Sequence, residues 1–152
     1  MKTVFKVLFC IPATVFLLGF IPAGNPAEIA ITWETLTDIT YERKFNKQEE
    51  MYFMYPTFGN KVKALQGKVV SIKGYMIPVD ETGEMYVISA KPMAQCFFCG
   101  GSGPESLIEL DFKKKGRRFK TDEIRTVRGV LTLNGDDVEH LNYILTGVEV
   151  VK

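Results

Sequence analysis

The sequence predicts a mainly β domain curled into a small barrel, on three observations. Apolar residues alternate with period two in five segments between positions 68 and 151, the spacing of half-buried strands. Gly74 and Gly129 interrupt two of those segments, where a bend lets a sheet curl. Helical periodicity is confined to one short stretch, where Phe58, Val62 and Leu65 fall at i, i+4 and i+7.

Taken in order, residues 28–55 read as an N-terminal extension ahead of a barrel domain at 56–152. Trp33, the single tryptophan, is read as a packing anchor that closes this extension onto the domain. The charged stretch 41–50 reads as a solvated turn or loop, and the run Met51-Tyr52-Phe53-Met54-Tyr55 as buried. Pro56 suits the first turn of the short helix and Gly67 its C-terminal cap.

The first strand starts at Lys68, with Val70, Ile72 and Met76 on one face and Ser71, Lys73 and Tyr75 on the other. Pro78 ends it, and a turn over Asp80–Glu84 leads to a second strand at Met85–Ser89. Strand three is Ser106–Phe112, strand four Thr126–Leu133 and strand five Tyr143–Val151. Asn134-Gly135-Asp136-Asp137 marks a turn between the last two, with a helical turn at Val138–Asn142. A flat five-stranded sheet of this size would leave one face bare. A partly closed barrel like the oligonucleotide/oligosaccharide-binding (OB) fold removes that problem.

Composition narrows the function classes. Nineteen basic and eighteen acidic residues in 152 leave the chain near neutral, so nucleic acid is not expected as a partner. Lys2 and Lys6, the apolar run Val7–Phe20 and the small or helix-breaking residues 21–27 have the order of a secretory signal at 1–27, with an uncleaved anchor as the alternative. The run, at about 14 residues, is short for a bilayer span. Phe9 ahead of Cys10 argues against lipidation. Removing 1–27 leaves 17 basic against 18 acidic residues, a net charge of −1. The expected location is exported, periplasmic or extracellular, or tethered to the membrane by the N-terminal segment.

The residues resemble an uncharacterised family, a domain of unknown function, of small exported bacterial proteins. The resemblance rests on Trp33 and Leu36 as Trp-x-x-Leu; on Leu65, Gly67, Lys68 and Val70; and on Gly74, Tyr75, Met76 and Pro78 as Gly-Tyr-Met-x-Pro. A cysteine-bearing loop around Cys96 and Cys99 follows, then Val127, Gly129 and Leu131. Some relatives carry Cys-x-His followed by prolines where this chain has Cys-x-x-Cys-Gly. The resemblance implies an exported β-rich fold and no established activity.

Function therefore has to be argued from the loop Cys96-Phe97-Phe98-Cys99-Gly100-Gly101-Ser102-Gly103-Pro104, in which Gly100, Gly101, Gly103 and Pro104 shape the turn. Three readings stay open. In the first, Cys96 and Cys99 hold one side of a zinc or copper ion, with His140, Glu105 or Asp111 as further donors, or with a second copy of the loop completing a four-thiolate site. In the second, the pair is structural, as a disulfide or as two thiols without a ligand. In the third, it is a thiol–disulfide redox pair, against which the glycines argue, since they oppose the helix that activates the first cysteine. His140 reads more simply as a surface or capping residue than as a ligand.

Lys113–Lys120 reads as an exposed basic connection, with an anion-binding patch as the alternative. Tyr75, Tyr86 and Phe97 are expected to pack. The functional expectation is an exported binding or accessory domain that handles a metal, or a non-catalytic scaffold docked on a membrane-protein partner through residues 51–58.

Overall fold

The computed structural model describes residues 27–80, 82, 85–114 and 116–151. The segment read as a signal, Cys10 included, lies outside the described residues except at position 27, and so does most of the Asp80–Glu84 turn. The barrel strands are β4 (Val69–Pro78), β5 (Tyr86–Ser89), β6 (Leu107–Phe112), β7 (Glu123–Leu133) and β8 (Tyr143–Val150), preceded by a two-residue strand β1 (Ile29–Ala30). They follow the order β4-β5-β6-β8-β7, and β7 returns to pair with β4, which closes a five-stranded mixed barrel. The β6–β8 pair is parallel and the other barrel pairs are antiparallel. β1 adds to β4 in parallel. The predicted OB-like barrel is therefore the fold.

Closure depends on β4 serving two neighbours. Its residues Val69–Met76 pair with β7 and Tyr75–Pro78 with β5. Gly74 lies just before this handover, and a Cβ there would fall 2.5 Å from the Ser89 carbonyl oxygen and 2.9 Å from the Trp33 ring. Trp33 begins the short helix α1 (Trp33–Leu36) and its Nε1–H donates to the Lys73 carbonyl at 2.8 Å. The expected packing role of Trp33 is thus specific: the indole covers the strand where the strand has no side chain.

A second bend lies where the sequence marked Gly129, and its partner Gly147 on β8 carries it. Arg128 pairs with Glu149 and Val130 with Thr146, so Gly129 faces two residues of β8, Gly147 and Val148. Gly147 has φ +63°, the left-handed conformation of a bulge residue. The β6–β8 ladder shifts register at the same place, so one bulge bends both ladders.

Two apolar clusters result from the pleat. Val70, Ile72, Met76, Ile88, Ile108 and Leu131 point into the barrel. Leu36, Val62 and Leu65, with Phe58 half-buried against them, add to the same core, but of the predicted helical stripe only Val62 is helical: Phe58 ends β3 and Leu65 lies past the helix. That helix, α2, is only Asn60–Lys63. The Tyr143 hydroxyl ties this core to α1 by donating to the Leu36 carbonyl at 2.7 Å. On the outer face, Ile77, Val87 and Leu107 bury Cys96, with Leu141 beside them.

Residues 39–58 differ from expectation. They form an antiparallel hairpin of β2 (Ile39–Asn46) and β3 (Met51–Phe58), a sheet separate from the barrel. The Asn46 side-chain oxygen accepts from the Gln48 and Glu49 N–H groups and shapes the turn, which favours pairing over the loop read at 41–50. Pro56 belongs to β3 and does not open the helix. The Gly59 N–H donates to the Asp38 carbonyl, and counting ladder bonds from that pair turns the Pro56 nitrogen to the open edge, where no donor is missed.

Replacing Gly74 by alanine is expected to cost about 1–3 kcal/mol of unfolding free energy in urea denaturation, because the added methyl has no room against Ser89 and Trp33. Gly135→Ala, whose Cβ meets only Phe58 at 3.8 Å, should stay within about 0.5 kcal/mol of wild type.

Candidate functional site

The cysteine loop folds back over the outer face of β4, β5 and β6. It consists of three successive 3-10 turns, Met93–Gln95, Phe97–Cys99 and Pro104–Ser106. The Cys96 carbonyl accepts from the Cys99 N–H at 3.2 Å and the Gly101 N–H at 3.1 Å. Gly100 turns the chain at φ +74°, and Gly101 passes so close to the Gln95 backbone that a side chain would collide. The Glu105 carboxylate lies over Gly103, and the Ser106 hydroxyl donates to the Gly103 carbonyl at 2.6 Å. The glycines and Pro104 shape the loop as the sequence suggested.

This arrangement separates the two cysteines chemically. Both are free thiols, but Cys96 is buried in the outer apolar cluster and Cys99 is exposed. Cys96 caps a single 3-10 turn, which is not the helix N-terminus that activates a redox cysteine. Phe97 and Phe98 directly precede the exposed Cys99, their ring centroids 6.1 Å apart, and both are substantially exposed. The expected packing of Phe97 is therefore only partial. Tyr86 is fully packed, and Tyr75 is half-buried.

His140 sits in the β7–β8 connection. Its Nδ1 lies 2.8 Å and 3.1 Å from the two Glu109 oxygens, and Glu109 also accepts the Leu141 N–H at 3.3 Å. The hydrogen bond and the charge of Glu109 raise the imidazole pKa. Glu105 lies at the foot of the hairpin, where its Oε2 is 3.5 Å from the Tyr41 hydroxyl. Burial raises the Tyr41 phenol, which stays a neutral hydrogen-bonding group and accepts from Asn142 at 3.1 Å. Asp111 is exposed on β6. Among the described residues no three His, Cys, Asp or Glu side chains gather into a group able to hold a metal ion. Cys96, Cys99 and His140 are therefore not brought together as a three-donor set.

His140 and Glu109 wall a groove of about 500 Å³ over β6 and β8, which is also lined by Asp111, Phe112, Lys114 and Arg117. The ionic pairing is invisible in the sequence, because 31 positions separate its members.

A second exposed feature is the hairpin. Phe45, Met51, Tyr52 and Met54 are 51%, 53%, 58% and 55% exposed. The register puts Arg43, Phe45, Tyr52 and Met54 on one face, continuous with Ile39 and Phe58, which pack on the core. Phe45 meets the Tyr52 ring edge-on at 5.2 Å, and the Arg43 guanidinium lies 4.4 Å above it. Exposure corrects the reading of 51–55 as buried: the base of this face is covered by the barrel and the distal half is not.

Neither a family model nor a curated protein matches this chain. Among solved structures it is similar to a DUF3299 family protein from Pseudomonas aeruginosa PAO1, at 16% identity and a TM-score of 0.50, over 85% of this chain and 98% of that one. At that identity the likeness shows the fold. It agrees with an uncharacterised family without supporting the individual motifs.

Two measurements check the site. Alkylation of the native protein followed by peptide mapping is expected to modify Cys99 at least about tenfold faster than Cys96, a difference that vanishes in denaturant. The proton NMR titration of His140, the single histidine, should have its midpoint above about 6.5 and shift toward that value in Glu109→Gln. Because the folded-state pKa is the higher one, the pair's contribution to stability is complete below about pH 6.5 and disappears as pH rises through the folded-state value.

Proposed function

We propose that this chain is an exported binding or accessory domain, without catalytic chemistry of its own, that docks onto a membrane-protein partner through the β2–β3 hairpin. The observation that carries this reading is the half-covered apolar face: Phe45, Tyr52 and Met54 continue the barrel's core surface outward and end in solvent. Aromatic and methionine side chains with an arginine between them are the composition of contact surfaces, where large rigid groups bury area at low entropic cost. Such a face on a barrel-mounted ribbon is held in one shape before it meets a partner, which lowers the cost of binding. Export is supported by Lys2, Lys6 and the apolar run Val7–Phe20, and by residues 21–27 that follow it. No described helix is long and apolar enough to cross a membrane.

Metal handling is the second reading, supported by the Cys-x-x-Cys spacing. With Cys96 in the outer apolar cluster and His140 held by Glu109, a tetrahedral zinc or cuprous site needs donors from a second molecule.

A photo-crosslinking residue at position 52 in the full chain, in cells that produce it, is expected to give discrete adducts. The same residue at the exposed barrel-side position Lys68 should give none. Met54→Asp should leave the melting transition within about 0.5 kcal/mol of wild type, since the Met54 side chain is exposed. Absence of adducts at 52, or identical adducts at 68, removes the docking reading.

A further inference from the structure

The cysteine loop is fastened to the barrel chiefly by one side chain. Across positions 91–105 Cys96 is the single buried residue, while Met93, Phe97 and Phe98 are exposed. The loop's own hydrogen bonds do not replace that hold. The Gln95, Cys96, Cys99, Gly100 and Gly101 N–H groups all donate to carbonyls within 92–97. The Ser102 hydroxyl donates to the Gln95 carbonyl at 3.2 Å. Polar ties to the rest of the molecule lie toward the two ends: the Met93 N–H donates to the Asp122 carboxylate at 2.7 Å, and Glu105 meets the Tyr41 hydroxyl at 3.5 Å. Between them the loop is held by Cys96 packed among Ile77, Val87 and Leu107.

The same turn sets the two cysteines within bridging range. Cys96 is the N-cap of the turn Phe97–Cys99, and Cys99 is its third residue. Side chains at these two positions are close enough to meet, as they do in a capping box. The Cys99 N–H donates to the Cys96 carbonyl at 3.2 Å, which holds the two Cα atoms within about 7 Å. Disulfides span about 4.4–6.8 Å between Cα atoms. Cys96 makes no side-chain capping bond, and its sulfur is committed to the apolar cluster. It cannot stay there and also bond to the sulfur of the exposed Cys99.

We infer that Cys96 and Cys99 form a reversible disulfide whose formation unlatches the loop. The oxidant is a low-molecular-weight disulfide such as oxidised glutathione, a class that an exported protein meets. The Cys99 thiolate attacks it, the glutathione S–S bond breaks, and one glutathione thiolate leaves a mixed disulfide on Cys99. The Cys96 thiolate then attacks the Cys99 sulfur and releases the second glutathione. The two protons from the protein thiols go to the two glutathione thiolates. The protein thus loses two hydrogens and two electrons, and one oxidised glutathione becomes two reduced ones. The second attack requires Cys96 to leave the cluster, so bridging uncovers Ile77, Val87 and Leu107 on the outer barrel face. Reduction lets the thiol return. The pair acts as a latch, not as a redox catalyst.

The test uses the full chain incubated with oxidised glutathione or with dithiothreitol, with peptide mapping to separate the pair from Cys10. Oxidised glutathione is expected to give a Cys96–Cys99 disulfide. Amide hydrogen exchange across 91–105 should then run at least about tenfold faster than in the reduced protein, with the β7 amides unchanged. The Val87 and Leu107 methyl resonances should shift with it, and dithiothreitol should restore both. Cys99→Ser, altered at an exposed position, should keep slow exchange under the oxidant. Cys96→Val, which keeps an apolar group in the cluster, should carry glutathione on Cys99 and stay latched. The inference is overturned if oxidation stops at the Cys99–glutathione adduct, if the bridge forms while exchange in 91–105 is unchanged, or if Cys99→Ser loosens under the oxidant as wild type does.

Discussion

The constraint on which this fold depends is that β4 hydrogen-bonds to β5 along one end and to β7 along most of its length. A strand can serve both neighbours only if it bends strongly, and the bend must come where side chains do not obstruct it. Gly74 supplies that place and Trp33 covers it. The bulge at Gly147 does the corresponding work on the opposite wall, where β8 has to follow β6 in parallel and β7 in antiparallel. With both bends in place the barrel has no open edge among its five strands, and every inward side chain finds a partner across a narrow interior.

Closure also decides what happens outside. A closed barrel this small has more strand surface facing outward than inward, and some of that surface is apolar. Ile77, Val87 and Leu107 are the outward neighbours of the core residues Met76, Ile88 and Ile108. They are hidden because the cysteine loop lies across them with Cys96 as its contribution. The first cysteine is therefore first of all a packing residue, a common role for a free thiol. Its neighbour three positions on escapes that role because it ends the exposed 3-10 turn Phe97–Cys99 that leads outward from Cys96.

How much of this could be read from the sequence follows from how strongly each part is biased toward one face. Most barrel strands show enough alternation to be read as strands, and Phe58, Val62 and Leu65 mark the apolar cover over one end, so the architecture was legible. The hairpin was not, because most of both its faces meets solvent. Glu42, Arg43 and Lys44 then show no alternation, and Met51–Tyr55 shows an unbroken apolar run. Burial of Cys96 left a fainter trace: Tyr86-Val87-Ile88-Ser89 is apolar on consecutive positions, which signals cover on both faces. The pairing of His140 with Glu109 left none, since it is created by the crossing of the β7–β8 connection over β6.

Pro56 has a consequence beyond its own position. The hairpin stands apart from the barrel with two unpaired edges, a shape that tends to recruit further strands and seed fibrous aggregates. Glu42, Arg43 and Lys44 guard the β2 edge with charged side chains that an added strand would have to desolvate. The β3 edge carries no charge from Met51 to Tyr55 and relies instead on the missing amide hydrogen of Pro56, which ends any added ladder near the barrel. A ribbon this apolar resists strand addition through backbone chemistry on one side and charged side chains on the other.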